Sequence, residues 1–240
     1  ASIIGITKFL PSYPGFLFEH EVEGLLRVLE FKTRPLTVIL GGAKSSSKLL
    51  LLKTFLKRAD NILLGGILAN TILQAQGIAV GRSRVDDEVM QEVKDLLLTD
   101  KKLHLPLDLK VARADLLTET GPIETRICAV GKVKDDEYIY DIGPETGTLF
   151  ANIIAESKEI IWNGPMGVIE KKEFMPGTER VARAVADSGA YSVVGGGESV
   201  MALHKLGLSN NISHISTAGG AMLQFLSREP LPGVEALQIP

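Results

Sequence analysis

The sequence has a single cysteine, Cys128, in 240 residues, which excludes an intrachain disulfide framework and a thiolate metal cage. It also lacks an excess of charge of either sign: 26 Lys and Arg stand against 29 Asp and Glu, a formal net charge of -3. So balanced a chain is not a dedicated binder of the phosphate backbone, and nucleic acid is not expected as a partner. No apolar run approaches the roughly 20 residues that cross a bilayer. The N-terminus lacks the charged stretch, apolar stretch and small-residue cleavage site of a secretory signal. Together these absences predict a soluble, cytoplasmic protein with no membrane partner.

What the sequence does have is apolar mass and glycine. Its hydrophobic content is 45%, and a chain of this length buries roughly 70 to 75% of its unfolded surface on folding. Glycine accounts for 24 of the 240 residues, above the average of about 7%, and it is clustered.

The clusters punctuate a repeated unit: a short β-type run, a glycine turn, then a helical pattern. Residues 36–40 (LTVIL) lead through Gly41 and Gly42 into a helix over 46–58. Residues 61–64 lead through Gly65 and Gly66 into a helix over 67–76, with Gly77 placed as a helix C-cap. A strand is expected over 103–107. The run Asp141-Ile142-Gly143-Pro144 opens a helix to 157, and strand 159–162 meets Asn163-Gly164-Pro165-Met166-Gly167. A helix over 177–188, a strand over 191–194 and the turn Gly195-Gly196-Gly197 lead into a helix over 198–206. Strands alternating with helices predict right-handed crossovers and a parallel sheet covered on both faces, a three-layer, doubly wound, Rossmann-like α/β fold. The glycine turns should gather at the carboxyl edge of that sheet, where open α/β sheets bind ligands. Residues 115–134 read as loops and short strands. Residues 16–29 have apolar positions at helical spacing but no strand of their own, so they read as a connector helix whose apolar face meets something outside the domain.

A glycine turn that runs into a helix presents unpaired N–H groups and the positive end of the helix dipole, which suits phosphate. Gly195-Gly196-Gly197-Glu198-Ser199 has this form, with a carboxylate one residue on that suits Mg2+; a merely tight strand-to-helix turn is the other reading. Lys44 and Lys48 stand at a helix start, where cations oppose the dipole unless an anion lies between them; solvated surface lysines are the alternative. The apolar loop from Trp162 to Glu170 fits either the wall of a base and ribose slot or plain packing. Neither a Walker A motif nor a strand-borne Gly-x-Gly-x-x-Gly occurs. His20, His104 and His204 read as structural, while His214 stands ready to orient the turn at 218–220. No nucleophile elbow is present, and Cys128 reads as a small apolar residue.

These motifs together resemble the phosphoglycerate kinase family. Leu40-Gly41-Gly42-Ala43-Lys44, Gly65-Gly66 with Ala69-Asn70-Thr71, Asp141-Ile142-Gly143-Pro144, Trp162-Asn163-Gly164-Pro165-Met166-Gly167-Val168, Gly195-Gly196-Gly197, Ser213-His214-Ile215-Ser216-Thr217 and Leu231-Pro232-Gly233-Val234-Glu235-Ala236-Leu237 fall in the family's order. The likeness runs through the whole chain but covers only the later part of the family's length. It implies that residues 1–33 are the end of an N-terminal domain and the interdomain helix, and that 34–240 form the nucleotide-binding domain. It also implies that the 3-phosphoglycerate site lies mostly in an N-terminal domain outside this sequence.

The resemblance further implies a monomer that takes ADP or ATP as substrate with Mg2+. Ala43 and Lys44 would meet nucleotide phosphate. Lys48 would follow the phosphoryl group as it moves, and Gly196, Gly197 and Gly219 would share that catalytic work. Glu198 stands where the family usually has an aspartate ligating Mg2+. Ser199 and the helix start at Gly197 would hold phosphate oxygens, with Asn163 nearby. Gly42, Gly66, Ile67, Tyr140, Pro165, Gly167 and Val168 would line the adenosine slot, with Glu170 accepting from ribose hydroxyls. The chain departs from the family at Ile67, where glycine is usual, and at Ile139-Tyr140, where Gly-Leu is usual, so the base slot is expected to be narrower. Ala218 replaces another usual glycine and Ser47 a common aspartate. The expected activity is phosphoryl transfer between 1,3-bisphosphoglycerate and ADP in glycolysis, with binding but little or no turnover by this chain alone; a non-catalytic nucleotide-binding or interaction module is the alternative.

Overall fold

The computed structural model describes residues 2–30, 33–96, 100–116, 118 and 121–237. In chain order the elements are α1 (Phe16–Leu29), β1 (Leu36–Leu40), α2 (Ser45–Leu56), β2 (Asn61–Leu64), α3 (Gly66–Ala75), α4 (Asp87–Lys94), β3 (Leu103–His104), β4 (Asp108–Ala112), β5 (Arg126–Ala129) and β6 (Tyr138–Ile142). There follow α5 (Pro144–Glu156), β7 (Glu159–Asn163), α6 (Pro176–Asp187), β8 (Tyr191–Gly195), α7 (Gly197–Leu206), β9 (His214–Ser216), α8 (Gly220–Leu226) and α9 (Pro232–Ala236).

Six strands form one parallel sheet in the order β3-β2-β1-β7-β8-β9. The β1 sequence is apolar at nearly every position because both faces of this strand are covered. Val38 and Leu40 pack with Leu49, Leu52, Leu68 and Ile72 from α2 and α3. The alternate residue Ile39 points into a second core with Trp162 of β7 and with Phe150, Ile154, Val181 and Leu203 from the other helical layer. These are the three layers expected from the alternation of strand and helix.

Four details differ from the expectation. The strand at 103–107 pairs over Leu103–His104 alone. A second sheet, antiparallel and three-stranded in the order β5-β4-β6, flanks the first. It was not legible because the pairing of β4 with β6 shifts register between Lys110 and Val111, and its partner β5 lies in the irregular 115–134 stretch. Helix α4 is started by Asp86, whose side chain accepts from Glu88 N–H at 3.2 Å. Lastly, α1 does not reserve its apolar face for something outside: Val22, Leu25 and Val28 are buried, and the helix packs on α8, β8 and β9. Phe16 and Leu17, at its start, stay exposed. No helix among the described residues is long and apolar enough to cross a membrane.

Candidate functional site

The turns that leave β1, β2 and β7 meet at the carboxyl edge of the sheet and are knitted backbone to backbone. Gly41 N–H donates to Asn163 O at 3.0 Å, Gly42 N–H to Pro165 O at 2.7 Å, and Ile67 N–H to Gly42 O at 3.0 Å. Side chains would not fit between chains this close, which is why three neighbouring strands all run into glycine. The knitted edge forms one side of a cavity of about 500 Å³. Of the expected residues, Gly42, Ala43, Gly66, Ile67, Tyr140, Pro165, Gly167, Val168, Glu170 and Glu198 line it.

Lys48, on the first turns of α2, is buried, and its ammonium donates to Lys44 O at 3.0 Å. Burial holds it below the usual lysine range, the Glu198 carboxylate pulls it back up, and the Lys44 cation opposes it further. Lys44 itself is exposed. Glu198, in the first turn of α7, is exposed, and its Oε2 lies 3.2 Å from where a Gly42 side chain would begin. Lys48 thus lies within electrostatic reach of Lys44 and Glu198, and Glu198, beside the N-terminus of α7, lines the cavity. That combination can hold an anion carrying a divalent ion. Among the described residues no three His, Cys, Asp or Glu side chains come together as a metal cage. The single carboxylate of Glu198 fits Mg2+ only where phosphate oxygens and water complete its shell.

The remaining expected residues, Asn163, Gly196, Gly197, Ser199 and Gly219, are not among those that line the cavity. Gly196 precedes α7 and Gly197 begins it; Asn163 Nδ2 comes within 3.2 Å of the place a Gly196 side chain would start. Gly219 precedes α8 with open space on its side-chain side. The Ser199 side chain is fully buried and its hydroxyl accepts from Gly164 N–H at 2.8 Å. This bond joins α7 to the Gly164 turn. His214 has a different setting. Its Nε2 lies 3.4 Å from Glu21 Oε2 of α1, and Glu21 is the group that holds the following turn, accepting from Thr217 N–H at 2.6 Å and from the Ser216 and Thr217 hydroxyls. Burial pushes the Glu21 carboxyl up, but these donors leave it below its ordinary range. Not every helix start is open, either: that of α5 is closed by Asp108, which accepts from Glu145 and Thr146 N–H.

The cavity has walls that sequence reasoning missed, among them Asn70, Arg84, Asp115, Leu116, Tyr138 and Asp141. Most of these belong to the second sheet or its loops. Two of them gave a signal: Asn70, in the Ala69-Asn70-Thr71 run, and Asp141, which opens the Asp-Ile-Gly-Pro run. Asp141 is 1% exposed, and burial pushes its carboxyl up to about 7 against the pull of N–H donors from Gly177 and Ile142.

A family model described as "Phosphoglycerate kinase" matches residues 1–229. The chain belongs to the phosphoglycerate kinase family. It is 43% identical over 99% of its length to the phosphoglycerate kinase of Thermomicrobium roseum and 45% identical over 99% to that of Rubrobacter xylanophilus, in each case spanning 60% of the relative. Among solved structures, the phosphoglycerate kinase from Coxiella burnetii superposes with a TM-score of 0.89 at 37% identity, over 99% of this chain and 61% of that one. The enzyme from Pyrococcus horikoshii gives 0.85 at 34% identity, over 99% and 60%. The chain thus spans about 60% of the length of the phosphoglycerate kinases it matches. Membership brings the parallel sheet, its glycine turns and the cavity at their junction into one kinase and transferase family.

Proposed function

We propose that residues 34–240 are the nucleotide-binding domain of a phosphoglycerate kinase, with residues 1–33 as its link to the family's other domain. The ligand is ADP or ATP with Mg2+, and the reaction of the complete enzyme is phosphoryl transfer between 1,3-bisphosphoglycerate and ADP in glycolysis. The proposal includes a monomer working in the cytoplasm. The observation that carries it is buried Lys48 within electrostatic reach of Glu198, which stands in the first turn of α7 and lines a cavity of about 500 Å³. A phosphate tail fits the charged mouth, and a base and ribose fit the apolar interior lined by Ile67, Pro165 and Val168.

In this reading the protein's own work is positioning and charge stabilisation, which supply most of the acceleration in phosphoryl transfer. Lys48 stays with the transferring group, and the Gly196-Gly197 amides at the α7 start hold its equatorial oxygens while the Gly219 turn leaves room beside them. Lys44 steadies the remaining phosphates with Ala43, Asn163 stands beside the Gly196 turn, and Glu170 receives the ribose hydroxyls. Bound through Glu198 and phosphate oxygens, Mg2+ would neutralise charge on the phosphate chain. The Gly42, Gly66 and Gly167 backbones form the close wall of the slot, with Tyr140 on its other side. The chain alone binds nucleotide with little or no turnover, since the resemblance puts the 3-phosphoglycerate site in a domain outside the match.

Calorimetric titration with ADP, with and without Mg2+, tests this on the wild type and on Lys44→Ala. Binding that needs the metal and weakens about tenfold on losing the lysine is expected. Binding indifferent to both changes would remove the phosphate site from this edge.

A further inference from the structure

Tyr140 is unusual among the cavity residues because it touches three of the walls at once. Its hydroxyl donates to Ala114 O at 2.8 Å and accepts from Leu116 N–H at 3.3 Å. Its own carbonyl accepts from Val168 N–H at 2.9 Å. Its ring leans on Phe174 with centroids 4.9 Å apart and lies parallel to that of Tyr138 at 5.6 Å. The 114–116 stretch lies in no helix or strand, and at its foot the Arg113–Asp136 ion pair, 2.9 Å long, is exposed on both sides. Exposed pairs contribute little, whereas two hydrogen bonds to a half-buried phenol can fix a loop. Burial holds that phenol above the ordinary tyrosine range, so at neutral pH its proton stays in place to be donated.

We propose that the Tyr140 hydroxyl is a positioning group for the nucleoside half of the ligand: by tying Ala114 and Leu116 to β6 it fixes the wall on which base and ribose rest. This inference rests on the nucleotide reading above and deepens it. Leu116 and Asp115 line the cavity, and a wall already in place costs a ligand less ordering on binding than one that must be gathered. The phosphate end, at Glu198 and Lys48, is built by other elements and does not depend on this tie.

The test compares the wild type with Tyr140→Phe, which keeps the ring against Phe174 and removes only the hydroxyl. ADP is titrated as the nucleotide and tripolyphosphate as a probe with no nucleoside, while hydrogen exchange follows the Leu116 amide. The expected result is ADP binding weaker by about tenfold, tripolyphosphate binding within twofold of wild type, and faster exchange at Leu116 in the variant. Equal weakening for both probes, or unchanged ADP binding, overturns the proposal and leaves the nucleotide reading intact. Failure of the wild type to bind ADP at all removes both. Should Tyr140→Phe not fold, the wild-type Leu116 amide decides: slow exchange supports the tie, and exchange at the rate of a free peptide overturns it.

Discussion

A β-carbon on Gly66 would stand within 2.5 Å of the Gly42 carbonyl oxygen, the same oxygen that accepts from Ile67 N–H. Adjacent strands of the parallel sheet therefore end in turns that interlock through their backbones, and Gly66 holds a left-handed φ of 60° to do so. The wall of the cavity and the stability of the sheet edge depend on the same contact.

Gly66→Ala should accordingly lose about 3 kcal/mol, of which about 1–2 kcal/mol is the left-handed backbone and the rest displacement of the Gly42 turn. Each kcal/mol lowers the melting temperature of a domain this size by roughly 2–4 °C. Gly77→Ala is the control, since Gly77 has a φ of 76° but open space around its side-chain position; it should lose only the backbone share, about 1 kcal/mol. Melting curves of the two variants that coincide would show that the turns do not interlock.

Lys48→Met separates stability from binding. Because the folded pKa of Lys48 lies below the ordinary 10.5, the charged form is the one that folding disfavours. That loss is fully present at pH values below the folded pKa and fades as the pH rises towards 10.5. At pH 7 the variant should be more stable than wild type by about 1 kcal/mol or more, because Glu198 is exposed and keeps its hydration when its neighbour is lost. ADP affinity should fall at least about tenfold. A variant that melts earlier than wild type at pH 7 would contradict the buried-cation account.

Glu198→Gln removes the carboxylate that this reading gives to the divalent ion. The ratio of ADP affinities with and without Mg2+, well above one in wild type under this reading, should fall towards one by about tenfold. It should also lower the Lys48 pKa further, since Glu198 is the group that raises it. Titrating both proteins with and without the metal measures the first effect. An unchanged ratio would place the ion elsewhere.

How far these residues could be read from sequence depended on whether their signal was local. Leu36–Leu40 is apolar on both faces and ends in two glycines, so strand, burial and edge position followed from seven letters. The meeting of Gly42, Gly66 and Pro165 followed only from assembling three such units into one parallel sheet. By contrast, β4 to β6 carry interrupted alternation, with Lys110 beside a register shift, and of the wall they contribute only Ile139 and Tyr140 were marked, through the resemblance. The bond from Gly164 N–H to the Ser199 hydroxyl was not legible either, because the two residues meet only through packing. Glu21 gave no signal because its partners, Ser216 and Thr217, are far along the chain.

Asp141 gives the sharpest pH prediction. Its carboxylate sits between Gly167 and Gly177, accepting from Gly177 and Ile142 N–H, and burial raises its pKa from 3.8 to about 7, with Lys110 the cation that opposes the shift. The folded state therefore holds this proton more tightly than the unfolded one. Its contribution to stability is fully present below about pH 4 and is lost as the pH rises through 7, by an amount on the order of a few kcal/mol. Asp141→Asn cannot titrate, but its amide turns a donor towards one of the two N–H groups and leaves that group unpaired, a loss of about 1–3 kcal/mol. The wild type should thus be the more stable protein at pH 5, and the gap should close or reverse by pH 8. Melting curves of both at the two pH values measure this, and parallel pH profiles would mean that Asp141 is ionised throughout and that its N–H donors outweigh its burial.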